Sequence, residues 1–167
     1  LTFGKKKWLP LYEKMCNIAQ KSQSIKDELL NLIDEDTDAF INVLNSYRLP
    51  QDSKQQLSER TEAIEKALKN ASNVPLKTLK CCLEIMKYVQ EAVEYGNPNS
   101  LSDAGVGAEI AFAGAKGAAL NIKINLKEID DLHYCQKMQQ QTDKLLKKTE
   151  DALSIIHKTV SEKLNNA

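Results

Sequence analysis

A chain of 167 residues fits one domain and is long enough to bury a sizeable core. Its 23 basic and 23 acidic residues cancel and are interspersed, which removes the basic field that nucleic-acid binding needs. The cysteines at 16, 81, 82 and 135 fit neither a zinc pattern nor a disulfide framework, so a reducing, cytoplasmic setting is expected.

In chain order, LTFGKKK reads as a loop ending in Lys5, Lys6 and Lys7. From Trp8 to Tyr47 one helical pattern follows. Leu11, Met15, Ile18, Ser22, Ile25, Leu29, Leu32, Asp36, Ala39, Val43 and Ser46 form a heptad-like seam. Such a helix is about 60 Å long. Pro10 sits in its first turn, where proline is tolerated, and Leu49-Pro50 ends it. Asp36 interrupts the apolar seam. A carboxylate there must find hydrogen-bond donors or have its pKa raised, unless the seam is locally exposed. It is therefore a candidate for acid–base chemistry, with a buried structural carboxylate as the alternative.

Asp52-Ser53 starts a second helix through Leu57, Ile64, Leu68 and Ala71, which Val74-Pro75 is expected to kink or break. Leu76, Leu79, Leu83, Met86, Val89 or Gln90, and Val93 carry a third helix to Tyr95, and Gly96 is the expected terminator. Cys81 and Cys82 lie within that pattern, where at least one packs as a small apolar residue.

Gly96 to Asn125 holds the glycines at 96, 105, 107, 114 and 117. On a helix, Gly107, Ala111, Gly114 and Ala118 share one bare face that lets a second backbone come close. Ser100 to Asp103 reads as a capping box, with Ser102 as the competing N-cap. Free N–H groups and the positive end of the helix dipole then face the cluster of Asn97, Ser100 and Ser102. That is a site for an anionic or carbonyl-bearing ligand, or simply an ordinary capped helix. The apolar run from Ile110 to Leu120 is too short to span a bilayer and contains Lys116, and no signal peptide is legible. Asn121 to Asn125 alternates like a strand but has no partner, so an extended linker bracketed by Asn121 and Asn125 is expected.

A final helix runs from about Asp130 to Leu164, with Leu132, Cys135, Met138, Leu145, Ala152, Ile155 or Ile156, and Val160 inward. His133 and His157 lie too far apart on it to share a metal. There is no P-loop, dinucleotide fingerprint, HExxH or GxSxG elbow. What remains is a helical domain with carboxylates Asp36 and Asp103, amides Asn97, Asn121 and Asn125, and hydroxyls Ser100 and Ser102.

The segments LTFGKKKW, LIDEDTDAF, RLP, VPL, GNPNSLSDAGVGAE and GAALNIKIN, in this order, resemble the cyclodeaminase/cyclohydrolase family of folate enzymes. The likeness covers essentially the whole chain. Its most specific part is the GN-x-NS-x-SD-x-GVGA and GA-x-NV-x-IN pattern, met by Gly96 to Ala108 and by Gly117 to Asn125 with Ile122 in place of Val. Family members usually begin with a PTPGGGS-type glycine-rich segment before the first helix. The corresponding N-terminal helix is expected to be lacking from this single helical domain, its place lying upstream of Leu1.

The resemblance implies an all-α bundle of long antiparallel helices with a small-residue central helix, assembled as a homodimer. It implies cyclisation of 5-formiminotetrahydrofolate to 5,10-methenyltetrahydrofolate with release of ammonia, a step of histidine degradation. Methenyltetrahydrofolate cyclohydrolase is the alternative activity, and a non-catalytic helical dimerisation module is the alternative of another class. Neither reaction requires a metal or redox cofactor. Both need a base, an acid and polar groups that hold the pterin. The resemblance raises Asp36 and Asp103 as proton-transfer groups without ranking them. It raises Asn97, Ser100, Ser102, Asn121 and Asn125 as substrate ligands. Lys5, Lys6 and Lys7 are expected to meet the carboxylates of a polyglutamylated folate. A formiminotransferase, fused or separate, is the implied partner.

Overall fold

The computed structural model describes residues 6–166, with the side chains of Lys7 and Trp8 excepted. Lys5 therefore lies outside the described residues. A 3₁₀ helix, Lys6–Leu11, contains Pro10 and leads into α1 (Tyr12–Tyr47). Then come α2 (Lys54–Tyr95), a 3₁₀ turn Pro98–Ser100, α3 (Leu101–Leu126) and α4 (Leu132–Asn165). Among the described residues there is no strand, so the molecule is an all-α bundle, as expected.

The seam of α1 forms as its periodicity dictates. Met15, Ile18, Ile25, Leu32, Ala39 and Ser46 are buried, and Leu11, Leu29 and Val43 pack at its margin against Ala71, Val74, Cys81 and Tyr88 of α2. The two helices run antiparallel. The Lys14 ammonium lies 3.2 Å from the centre of the Tyr95 ring at one end, and the Arg60 guanidinium donates to the Tyr47 carbonyl at the other. Asp36 departs from the expectation of burial: it is exposed. The seam opens there onto a cleft lined on the α2 side by Ala71 and Pro75, and a carboxylate settles where water reaches it rather than bear the cost of desolvation.

The expected break at Pro75 does not occur. α2 runs through it for 42 residues, from a capping box in which the Ser53 hydroxyl accepts from the Gln56 N–H. Burial on both sides of the proline (Ala71, Ser72 and Val74 before it, Leu76 and Leu79 after it) outweighs the lost backbone bond. The Ala71 carbonyl, four residues earlier, has no N–H from residue 75 to accept. It accepts instead from Asn125 Nδ2 at 3.0 Å. Gly96 ends α2 in extended backbone at φ −76° rather than in the left-handed terminator conformation. Its glycine is needed because a Cβ there would collide with the Ala92 carbonyl oxygen.

Two further expectations fail in the next segment. Ser100 makes no side-chain cap to α3; the side chain of Asn97 instead accepts from the Asn99 N–H and holds the 3₁₀ turn. Asn121 to Asn125 is not a linker but the last turns of α3. Ile122, fully buried, packs with Leu76, Leu79 and Met138, and that apolar contact sets helical rather than extended backbone. The bare face also lies differently. Ala108, Ala115, Ala118, Ala119 and Ile122 are the buried positions, with Gly107 beside them. Of the α3 glycines only Gly114 is in close approach to a neighbour, a Cβ there falling 3.2 Å from Cys82 Sγ, whereas Gly105, Gly107 and Gly117 have open space.

α2 touches each of the other three helices; α3 and α4 pack on it and on each other. Met86, Val93, Leu101, Ala108, Leu153 and Ile156 form the core at one end of α3, and the Ile122 cluster forms the core at the other. On α4 the buried positions include Thr142 and Thr149, whose hydroxyls donate to the Met138 and Leu145 carbonyls of their own helix and so enter the core satisfied. Asp131 caps α4, accepting from the Tyr134 N–H, and takes Lys69 Nζ at 2.8 Å.

Candidate active site

The open stretch of the α1 seam, the turn of α2 around Pro75 and the end of α3 together line a cleft. One lobe, of about 250 Å³, is lined by Asp36, Phe40 and Val43 of α1, Ala71 of α2, and Asn121, Ile124 and Asn125 of α3. A second, of about 320 Å³, shares Asp36 and Asn121 and adds Leu29, Leu32, Ile33, Thr37, Pro75, Thr78 and Ala118. Three of the candidate residues, Asp36, Asn121 and Asn125, thus meet at one place. They do so because α3 stays helical to Leu126, which puts Asn121 and Asn125 one turn apart on the side facing α1.

The chemistry of this place is a carboxylate and two amides on an apolar floor. Lys77 is engaged by Glu35, so Asp36 is not neutralised by it. Phe40 and Ile124 are each 61 % exposed, which leaves flat apolar surface at the rim for a ring to lie on. Asn125 has its nitrogen committed to Ala71, so its oxygen is the part left to meet a ligand.

The other candidates lie elsewhere in the chain. Ser100, Ser102 and Asp103 stand at the start of α3, and from Asp103 to Asn121 the helix rises about 27 Å. Asn97, buried, is spent on the turn before it. Lys6 is exposed in the 3₁₀ helix that precedes α1, at the same end of the bundle as Tyr95 and Asn97, as the Lys14–Tyr95 contact requires. The chain therefore carries two polar groups at opposite ends of one helix. Sequence reasoning missed Phe40, Val43, Ala71, Pro75 and Ile124 as cleft residues. The signal was present in the period Leu68, Ala71, Ser72, Leu76, Leu79, which runs unbroken across the proline.

Other reactive groups are accounted for. Burial pushes the Cys81 thiol up to about 11, with Glu28 adding to the effect, and pushes the Cys82 thiol up as well. His157 Nε2 meets Glu109 at 2.8 Å and His133 is exposed. Among the described residues no three His, Cys, Asp or Glu side chains converge as a metal site, and no helix is long and apolar enough to cross a membrane.

The family model described as "Formiminotransferase-cyclodeaminase" matches residues 1–144. The chain belongs to the formiminotransferase-cyclodeaminase family. Among the relatives of this family member, the methenyltetrahydrofolate cyclohydrolase of Methylorubrum extorquens is 33% identical over 99% of this chain and 79% of its own length. The formimidoyltransferase-cyclodeaminase of Rattus norvegicus is 30% identical over 92% of this chain, which spans only 29% of that longer protein. The fold is that of the formiminotetrahydrofolate cyclodeaminase of Thermotoga maritima, with a TM-score of 0.84 and 23% identity over 98% of this chain and 77% of the other.

Proposed function

We propose that this chain is a folate one-carbon enzyme and that its chemistry takes place in the cleft of Asp36, Asn121 and Asn125. The observation that carries the reading is the meeting of these three side chains, from two helices, in a member of this family. In the cyclodeaminase reaction N10 of 5-formiminotetrahydrofolate attacks the formimino carbon and loses its proton. The formimino nitrogen, already protonated as an amidinium, gains that proton, its bond to the carbon breaks and it leaves as ammonia, and the ring is closed as the 5,10-methenyltetrahydrofolate cation. A carboxylate at Asp36 can take the first proton and return it to the departing nitrogen, while the amides hold the pterin. These proton transfers call on no metal or redox group.

One observation favours cyclohydrolase activity instead. The bacterial relative of that name is 33% identical and matched over 79% of its own length, whereas the Thermotoga cyclodeaminase is 23% identical over 77% of its chain. In that reaction the same carboxylate would deprotonate the water that adds to the methenyl carbon.

A homodimer completes the proposal. The outward side of α3 carries Val106, Ile110, Leu120 and Ile124, all more than half exposed, with open space beside Gly117 between them. They follow a heptad-like spacing. A second copy crossing antiparallel over the exposed Ala113 would lay the partner's Asp103 level with Asn121 and Asn125, joining the two polar groups that one chain keeps apart. Ser100, Ser102 and Asn97 would then border the same cleft, and Lys5, Lys6 and Lys7 are proposed to meet a polyglutamate tail. We place this single helical domain in the cytoplasm.

The test is to follow the methenyl absorbance of the purified chain with each folate. Formation of the chromophore from the formimino compound identifies the cyclodeaminase, and accelerated loss of it identifies the cyclohydrolase. No change with either overturns the enzymatic reading in favour of a helical dimerisation module.

A further inference from the structure

We infer that Pro75 and Asn125 form one device, in which the proline empties the Ala71 carbonyl so that it can orient the Asn125 amide as a hydrogen-bond acceptor for the ligand. Pro75 stands well inside a 42-residue helix where its missing N–H costs a bond, yet the helix does not break. The carbonyl it strands is Ala71, and the donor that reaches that carbonyl is Asn125 Nδ2, 54 positions further along the chain, at 3.0 Å. A carbonyl only accepts, so the amide has one orientation: nitrogen on Ala71, oxygen free. Ala71 and Asn125 line the lobe that holds Asp36, and Pro75 lines the adjoining one. The polar wall of the cleft thus presents a fixed amide oxygen, an acceptor that selects a ligand edge bearing an N–H donor. The ring N–H and exocyclic amino group of a pterin form such an edge, on the side of the ring system away from the atoms that react at Asp36. The ligand half of this inference rests on the proposed folate function, and the proline–amide half does not. Asn125 is accordingly a specificity-determining residue, and Pro75 a positioning residue that acts through it.

The experiment is a double-mutant cycle on the full chain, read by thermal unfolding and by equilibrium binding of 5-formyltetrahydrofolate. Asn125→Ala alone is expected to lower Tm by about 2–4 °C, the loss of one neutral hydrogen bond in a chain of this size. It is also expected to weaken binding about 3- to 10-fold. Pro75→Ala returns a backbone donor to Ala71 and releases the amide. Tm is expected to hold or rise, while binding weakens by a similar factor. Adding Asn125→Ala to Pro75→Ala is then expected to move Tm little. If Asn125→Ala costs the same Tm in both backgrounds, the pairing with Pro75 is overturned, whatever the ligand. If Pro75→Ala leaves binding unchanged, the orienting role is overturned. Should Pro75→Ala fold poorly, Asn125→Ala decides alone: undiminished binding overturns the ligand contact. Absence of folate binding by the parent chain overturns the ligand half together with the proposed function, and leaves the Tm cycle to judge the rest.

Discussion

Replacing Asp36 by asparagine separates chemistry from architecture. The side chain is exposed, and the cation on that face of α2, Lys77, pairs with Glu35 instead. Asparagine has the same shape and can still accept a hydrogen bond, so folding stability is expected to change by no more than about 0.5 kcal/mol, as for a surface substitution away from any special feature. The substitution removes the capacity to carry a proton between N10 and the departing nitrogen. Loss of a positioned acid–base group costs about 10²–10⁴-fold in kcat. That corresponds to about 2.7–5.4 kcal/mol of transition-state stabilisation. KM is expected to move much less, because the cleft shape and both amides remain. The assay is steady-state turnover of both folates, with thermal unfolding run in parallel. A kcat close to that of the parent with both substrates would refute the assignment of proton transfer to Asp36. A fall in kcat accompanied by an equal loss of stability would show that the carboxylate is architectural.

Ile122→Ala removes a fully buried side chain shared by α2, α3 and α4, and is expected to cost about 2–5 kcal/mol in chemical denaturation; a cost under about 1 kcal/mol would contradict the helical packing of this segment. Ile110→Lys, on the outward side of α3, is expected to convert a dimer into a monomer in sedimentation with helical content retained, and an unchanged sedimentation coefficient refutes that interface. Asp131 supplies a pH signature. Its hydrogen bonds to Lys69 first, and to the Tyr134 N–H second, hold its carboxyl below the ordinary value of 3.8. A depressed carboxyl adds stability that is complete above the unfolded value and is lost as pH falls through the folded one. The Tm gap between the parent chain and Asp131→Asn is therefore expected to be full at neutral pH and to close as pH falls below 3.8. A gap indifferent to acidification would refute the pairing.

Periodicity made most of the fold legible before any coordinates. The seam of α1 from Met15 to Ser46, the inward residues Leu76, Leu79, Met86 and Val93, and Met138 on α4 are where spacing puts them. What periodicity cannot carry is the competition between a local rule and a tertiary contact. Pro75 reads as a break because the proline rule is local, whereas the bond that offsets it comes from Asn125 on another helix. Asn121 to Asn125 reads as a strand because five residues are too short to tell two periods apart, and the burial of Ile122 decides the matter. Asp36 looked buried because its seam is buried above and below it; whether one turn of a seam faces a neighbour or a gap is a property of the neighbour. Of the residues picked out for chemistry, Asp36, Asn121 and Asn125 share a cleft, and those at the start of α3 reach it only through the proposed second copy.

The apolar cluster that holds α1 lies against α2, apart from the two clusters that α3 and α4 share with it. Amides of α1 should therefore open to hydrogen exchange at lower free energy than those of the three-helix remainder. The cleft has one wall on each side of that division, Asp36 on the looser part and Asn121 on the firmer. A molecule that grips both walls would act as a splint, slowing exchange along α1 far from any atom it touches.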